Sequence, residues 1–226
     1  MSEPRQNWDL GRFVQTLVYF EEIPVVSCIQ KMFQPHVPPP QPSAQMQANG
    51  EIVLLNFPLI TDLSDTWGPV DDVVMGGVSN SRMIRSPEGA WFTGNVSTAN
   101  SGGFASVRTR NFEPPLDLSQ AQGIKLRVKG DGQRYKFFLR SDAGWDSVAF
   151  AYSFDTVENE WTTVLVPFQQ MRGVVRARTL PDDVKLNTQQ IRSMQLMLSK
   201  FEYDKALNPK FQPGEFSLYV ESIGTY

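Results

Sequence analysis

The chain holds one cysteine, Cys28, and one histidine, His36, in 226 residues. No disulfide can close within it, which fits a reducing compartment. A Ser-His-Asp or Cys-His arrangement would have to recruit His36 from a proline-rich stretch, so no such constellation is expected on a folded domain. Zinc lacks its usual nitrogen and sulfur ligands. Neither sign of charge dominates: 21 basic side chains face 24 acidic ones for a formal charge of −3, which argues against nucleic acid as a partner. Long apolar runs are missing as well. The region from Phe13 to Phe33 is interrupted by Gln15, Glu21, Glu22, Pro24, Gln30 and Lys31, whereas a membrane span needs about 20 mostly apolar residues. No basic segment leads into an apolar one at the N-terminus, and Glu3 and Asp9 suit a transit peptide poorly, so no targeting segment is expected. Finally, no strand-like run is followed by G-x-G-x-x-G. Without that turn no backbone amides converge on a pyrophosphate, and no nicotinamide or other cofactor is expected.

What is present falls into three parts. Residues 1–33 read as an amphipathic helical segment, helical over 7–33 with Asn7 as its cap. Leu10, Phe13, Val14, Leu17 and Val18 recur at i, i+3, i+4, i+7 and i+8. Pro24 breaks this helix or begins a second one, with Val25, Val26, Ile29, Met32 and Phe33 on its apolar side. Residues 34–50, with five prolines, read as an extended tether. Residues 51–226 turn to short β-runs punctuated by Gly, Pro, Asn and Asp, which predicts an all-β sandwich. Strands are expected near 51–56, 72–76, 80–86, 90–97, 103–109, 123–129, 134–141, 146–153, 161–167, 190–199 and 215–223. Residues 169–189 and 202–213 are expected to be loops, and Gly130-Asp131-Gly132 a hairpin turn.

Two turn-rich motifs concentrate the unusual residues. The first runs from Trp67 to Ser79 and carries Asp71, Asp72, Met75, Gly76 and Gly77. The second holds Asn100, Gly102, Gly103 and Phe104. Paired carboxylates can serve acid–base chemistry or cap turns by accepting from backbone amides, and the second reading is favoured because no partner acid, base or ligand set accompanies them. Asp65, Asp71, Asp72 and Asp131 can also be read as calcium ligands, though their spacing is not diagnostic. Trp67, Trp91, Trp145 and Trp161 can be read as sugar-stacking platforms, but packing is the favoured reading: Trp91 and Trp161 sit like core residues, while Trp67 and Trp145 flank turn residues and are the better rim candidates. The glycine pairs suit positive φ or close backbone approach at strand ends.

These motifs, with Val128-Lys-Gly-Asp-Gly-Gln-Arg-Tyr135, Trp161 to Phe168, Ile191 to Leu198 and Gly214 to Ile223, resemble the complex I intermediate-associated protein family over about residues 51–226. The resemblance implies a jelly-roll β-sandwich of the galactose-binding-domain-like kind and a non-enzymatic assembly or scaffold role. Residues 8–24 look like the leader of cyanobacterial fusions of this domain with a short-chain-dehydrogenase-like domain, but the nucleotide turn of that domain is missing. The expected partners are protein subunits of a membrane-bound electron-transfer complex, respiratory or photosynthetic. The protein is expected to be cytoplasmic, or peripheral on the cytoplasmic face of a thylakoid membrane through that partner. The expected contact residues are Trp67, Asp71, Asp72, Met75, Gly76, Gly77, Ser79, Asn100, Gly102, Gly103 and Phe104 on the sandwich. On the helix they are Leu10, Phe13, Val14, Leu17 and Val18. The alternative function is that of a carbohydrate-binding module.

Overall fold

The computed structural model describes residues 9–20, 45–46, 52–60, 62–176 and 178–226. Asn7, Cys28, His36, the second helical piece and most of the tether lie outside the described residues. One helix, α1 (Leu10–Tyr19), comes first. Its start is fixed by Asp9, whose carboxylate accepts from the Arg12 amide at 3.0 Å and satisfies one of the donors a helix leaves open.

The rest is antiparallel β-structure in two seven-stranded sheets. The strands are β1 (Gln45–Met46), β2 (Ile52–Asn56), β3 (Trp67–Pro69), β4 (Asn80–Ser86), β5 (Gly89–Val96), β6 (Phe104–Thr109) and β7 (Gly123–Lys129). They continue with β8 (Arg134–Arg140), β9 (Ala149–Asp155), β10 (Trp161–Pro167), β11 (Arg172–Val175), β12 (Arg178–Thr179), β13 (Ser193–Ser199) and β14 (Gly214–Thr225). In the first sheet the long strand β14 pairs with β5 and β2 and also with β7; β4 lies beyond β5, β1 beyond β2, and β10 beyond β7. The second sheet runs β12-β11-β9-β8-β13-β6-β3.

Period-two alternation builds the core between them. Phe92, Ile124, Leu126, Val128, Leu218 and Val220 point inward from the first sheet, and Val107, Tyr135, Phe137, Leu139, Met194, Leu196 and Leu198 from the second; all are buried. Each such side chain contributes about 1.5–3 kcal/mol, so the sandwich has its own driving force.

The sandwich expectation holds, with local corrections. Residues Asp72–Met75 form a 3-10 turn, not a strand, because Gly76 turns the chain at φ 90° and the Asp72 carboxylate is engaged elsewhere. Trp67–Pro69 pairs with β6 as an edge strand. The expected loop 169–189 contains β11 and β12, and residues 45–46 of the expected tether pair with β2. Gly130–Gly132 is not a hairpin. Strand β7 belongs to the first sheet and β8 to the second, so the turn carries the chain across the sandwich, tied down by Asp131, which accepts from the Tyr135 hydroxyl at 3.0 Å and the Ser217 amide at 2.9 Å.

Candidate functional site

The Trp67–Ser79 motif sits where the edge of one sheet meets the edge of the other. It links β3 in the second sheet to β4 in the first. Asp71 and Asp72 are 1% and 0% exposed. A buried carboxylate must be satisfied by donors or it costs several kcal/mol, and both are saturated. Asp71 accepts from the Ser81 hydroxyl at 2.6 Å and amide at 2.9 Å, from the Ser106 amide at 3.0 Å, and from Arg12 at 2.9 Å. Asp72 accepts from the Ser79 amide at 2.9 Å and hydroxyl at 2.6 Å. It also takes the Gly103 amide at 2.7 Å and the Phe104 amide at 3.3 Å. Ser79 and Ser81 lead into and lie on β4, while Gly103, Phe104 and Ser106 open β6. The aspartate pair is therefore a staple between the two sheets.

The glycines around it follow from the same crowding. A Cβ on Gly77 would fall 2.3 Å from the Asp72 carboxyl, and one on Gly102 would fall 2.4 Å from it. Gly76 and Gly103 carry positive φ. The amide of Asn100 donates to the Gly76 carbonyl at 3.1 Å and joins the two motif loops.

Electrostatics agree with the geometry. Loss of water lifts the Asp71 carboxyl to about 6, while the bonds from Ser81 and Ser106 and the charge of Arg12 pull the other way. Arg12 comes from α1, so the helix supplies a cation to the buried staple. Around this ion pair α1 lies against β3 and the Asp72–Met75 turn. Thr16 is buried. The Tyr19 ring rests on Gly68, where a Cβ would approach it to 2.3 Å, and its hydroxyl donates to the Ser64 carbonyl at 2.9 Å. Burial raises that phenol to about 12. Arg110 stands 4.3 Å from the Tyr19 ring centre. Beyond the helix end, Phe20 and Trp145 meet with ring centroids 5.2 Å apart, and the Arg108 guanidinium stands against both, 4.4 and 4.3 Å from their centroids.

The helix thus docks through Arg12, Thr16, Tyr19 and the flanking Phe20, and leaves much of its apolar stripe outward. Leu10 is 57% and Val14 41% exposed; Phe13, Leu17 and Val18 are half-buried. On the sandwich, Met75 is 70% exposed, whereas Asn100 and Phe104 are half-buried. Trp67, Asp71, Asp72, Gly77, Ser79, Gly102 and Gly103 are enclosed, so their side chains shape the loops from within.

The tryptophans divide differently from the expected core and rim positions, and Trp145 is half-buried beside Phe20 and Arg108. Trp67 is 3% exposed and belongs to the core, because β3 turns it inward against Phe57. Trp91 and Trp161 stand half-buried on the outer face of the first sheet. Among the described residues no group of three carboxylate, histidine or cysteine side chains converges, and Asp131 is engaged in its own turn. Sequence reasoning missed Arg12, a lone cation inside an apolar pattern. It also missed the polar outer face of β4, β5 and β14, whose signal is the alternation Asn80-x-Arg82, Trp91-x-Thr93-x-Asn95 and Glu215-x-Ser217-x-Tyr219.

With this geometry in place, comparison with known proteins gives a family and a fold. The family model described as Complex I intermediate-associated protein 30 matches residues 57–220. No curated protein sequence matches. Among solved structures, one similar fold is the family 11 carbohydrate-binding module of a cellulosomal cellulase from Clostridium thermocellum, at 18% identity and a TM-score of 0.54. The alignment covers 78% of this chain and 94% of that one. The family 11 module in complex with a mixed-linked tetrasaccharide aligns at 18% identity and a TM-score of 0.52, covering 77% and 94%. These likenesses establish the jelly-roll fold alone.

Proposed function

We propose, since this chain belongs to the complex I intermediate-associated protein 30 family, that it is a non-enzymatic assembly factor that holds protein subunits of a membrane electron-transfer complex. The family match is the observation that carries this reading. Among the described residues no helix is long and apolar enough to cross a membrane. An NADH-dehydrogenase-like complex, respiratory or photosynthetic, is the client class the family suggests.

The contact surface that best suits the role combines α1 with the neighbouring turn. Leu10, Val14 and Met75 are large apolar side chains exposed on elements that touch each other. The staple beneath them fixes the turn, and Arg12 fixes the helix to the staple. Large exposed apolar side chains held on a rigid base are the feature a protein partner exploits. The enclosed motif residues then act by shaping this surface, and Asn100 and Phe104 extend it along the second loop.

The test is capture of complex subunits from solubilised native membranes by the tagged full chain. A Leu10→Asp, Val14→Asp, Met75→Asp variant should fold as before and lose the captured subunits. Gly68→Ala should do the same by lifting Tyr19 and displacing α1 from the turn. Retention of the subunits by both variants would discard this surface, and absence of any complex subunit from the unaltered protein's eluate would discard the role.

A further inference from the structure

The outer face of the first sheet carries a polar trough that the assembly role does not use. Its shape follows from strand register. One cross-strand row is tall: Trp161, Lys129, Tyr219, Trp91 and Ile84 lie side by side on β10, β7, β14, β5 and β4. Trp91 and Tyr219 stack with centroids 5.5 Å apart, and the Lys129 ammonium stands 4.9 Å from the Tyr219 ring centre. The next row outward along β14, β5 and β4 is Ser217, Thr93 and Arg82, and the one after it is Glu215, Asn95 and Asn80. Two short side chains therefore lie between taller ones. The result is a cleft of about 400 Å³ whose floor is Thr93 and Ser217. Trp91 walls one side, the two asparagines and Glu215 the other, and Asp131 also lines it.

The floor and the Trp91 wall are fixed, whereas the other wall has free valences. Thr93 donates its hydroxyl to the Phe216 carbonyl at 2.8 Å, and Trp91 donates its indole N–H to Ser217 at 2.9 Å. Asp131 is held by Tyr135 and the Ser217 amide. By contrast, the side chains of Asn80, Arg82, Asn95 and Glu215 make no hydrogen bond or ion pair among the described residues. A rigid base with unengaged planar donors and acceptors around it is the arrangement of a pre-formed ligand site.

The mixture of groups selects the ligand. A bare cation would meet Arg82, and a bare anion would meet Asp131 and Glu215. Asparagine amides, a guanidinium and a carboxylate can instead pair with adjacent hydroxyls, each of which donates and accepts at once. We infer that this trough binds a neutral, hydroxyl-rich ring, a hexose unit of a glycan, with its hydroxyls toward Asn95, Asn80 and Glu215 and its carbon-bound face toward Trp91. The trough opens on the outer face of β4, β5 and β14, whereas Ser79 and Ser81 turn inward to the staple that holds α1, so the two surfaces face different ways and can be occupied independently.

Titration of the full-length, nitrogen-15-labelled chain with methyl β-glucoside, methyl β-galactoside and cellotetraose, each to about 20 mM, tests it, because a single shallow sugar site is expected near a Kd of about 1 mM. The expected result is saturable shifts of the Thr93, Asn95 and Ser217 amides and the Trp91 indole N–H with at least one of the three probes. The Asn95→Ala, Glu215→Ala variant should weaken that binding at least about tenfold, the factor that 1.4 kcal/mol represents. Both side chains are exposed and unpaired, so its urea midpoint should not move; if it does, the single Glu215→Ala variant takes its place. Absence of shifts with all three sugars, shifts located elsewhere, or unchanged binding by the variant would each overturn the assignment. None of these outcomes bears on subunit capture, which Leu10, Val14 and Met75 report separately.

Discussion

Four consecutive residues, Ser79 to Arg82, serve two polar clusters with opposite characters. Ser79 and Ser81 turn inward to the aspartate staple; Asn80 and Arg82 turn outward to the trough. In the staple every carboxylate oxygen has one or more donors. In the trough the outer side chains have none among the described residues. The difference is one of solvent. A buried charge without partners is too costly to keep, so burial forces saturation and leaves nothing for a ligand. An exposed side chain is satisfied by water, and that water can be exchanged for a ligand's hydroxyl. Polar residues on one strand therefore stabilise the fold on one face and remain available on the other.

The largest effect should come from the staple. Asp72→Asn sets an amide N–H₂ against the amide and hydroxyl of Ser79 and the amides of Gly103 and Phe104, all of which donate to the carboxylate. A loss of about 4 kcal/mol in urea-unfolding free energy is expected, typical of breaking a buried charged network. A loss below about 1 kcal/mol would mean that the donors find other acceptors and the contrast with the trough fails.

The second effect depends on pH and isolates Asp71. Its carboxyl is lifted by burial to about 6. The folded protein therefore keeps a proton between about 4 and 6 that the unfolded chain has already released. This group favours folding fully below the ordinary carboxylate value, and that contribution is lost as pH rises through about 6. The span of about two pKa units corresponds to about 3 kcal/mol. Urea unfolding across pH 4–7 should show the slope in the unaltered chain and lose it in Asp71→Asn. Arg12→Met should move the upper end of the window to higher pH, because Arg12 holds the carboxyl down. An unchanged slope in Asp71→Asn would place the titrating group elsewhere.

The smallest effect belongs to the trough. Asn95→Ala with Glu215→Ala should change unfolding free energy by less than about 0.5 kcal/mol, as for surface positions without partners. A loss of about 2 kcal/mol would show that these side chains belong to a structural network and would erase the distinction between the two faces.

Much of this organisation is legible along the chain. The alternation in Lys125-Leu-Arg-Val128 and the flanking turn residues fix β7 to its last residue, and β10 is equally well marked by Trp161 to Pro167. The glycine pairs announce tight backbone approach, and the motif order announces the family. Other features are not local. Trp67 looks like a rim residue beside Gly68 and Pro69, yet pairing of β3 with β6 turns it into the core. The Gly130–Gly132 turn has the composition of a hairpin, yet its two strands enter different sheets.

What can be read from the chain alone is an all-β domain, the positions of its longer strands such as β7 and β10, the alternating faces of those strands and the lack of cysteine and histidine in residues 51–226. These follow from backbone sterics and from the period of apolar residues, which act over a few positions. Tertiary structure decided which faces meet. It brought Arg12 to Asp71 across 59 positions, and it set β14 beside β5 so that Glu215 and Ser217 complete a trough with Asn95 and Thr93. Pairing at such separations is fixed by the burial of a shared core and by the need to satisfy every enclosed polar group. Both are properties of the folded whole, and no short stretch of sequence contains them.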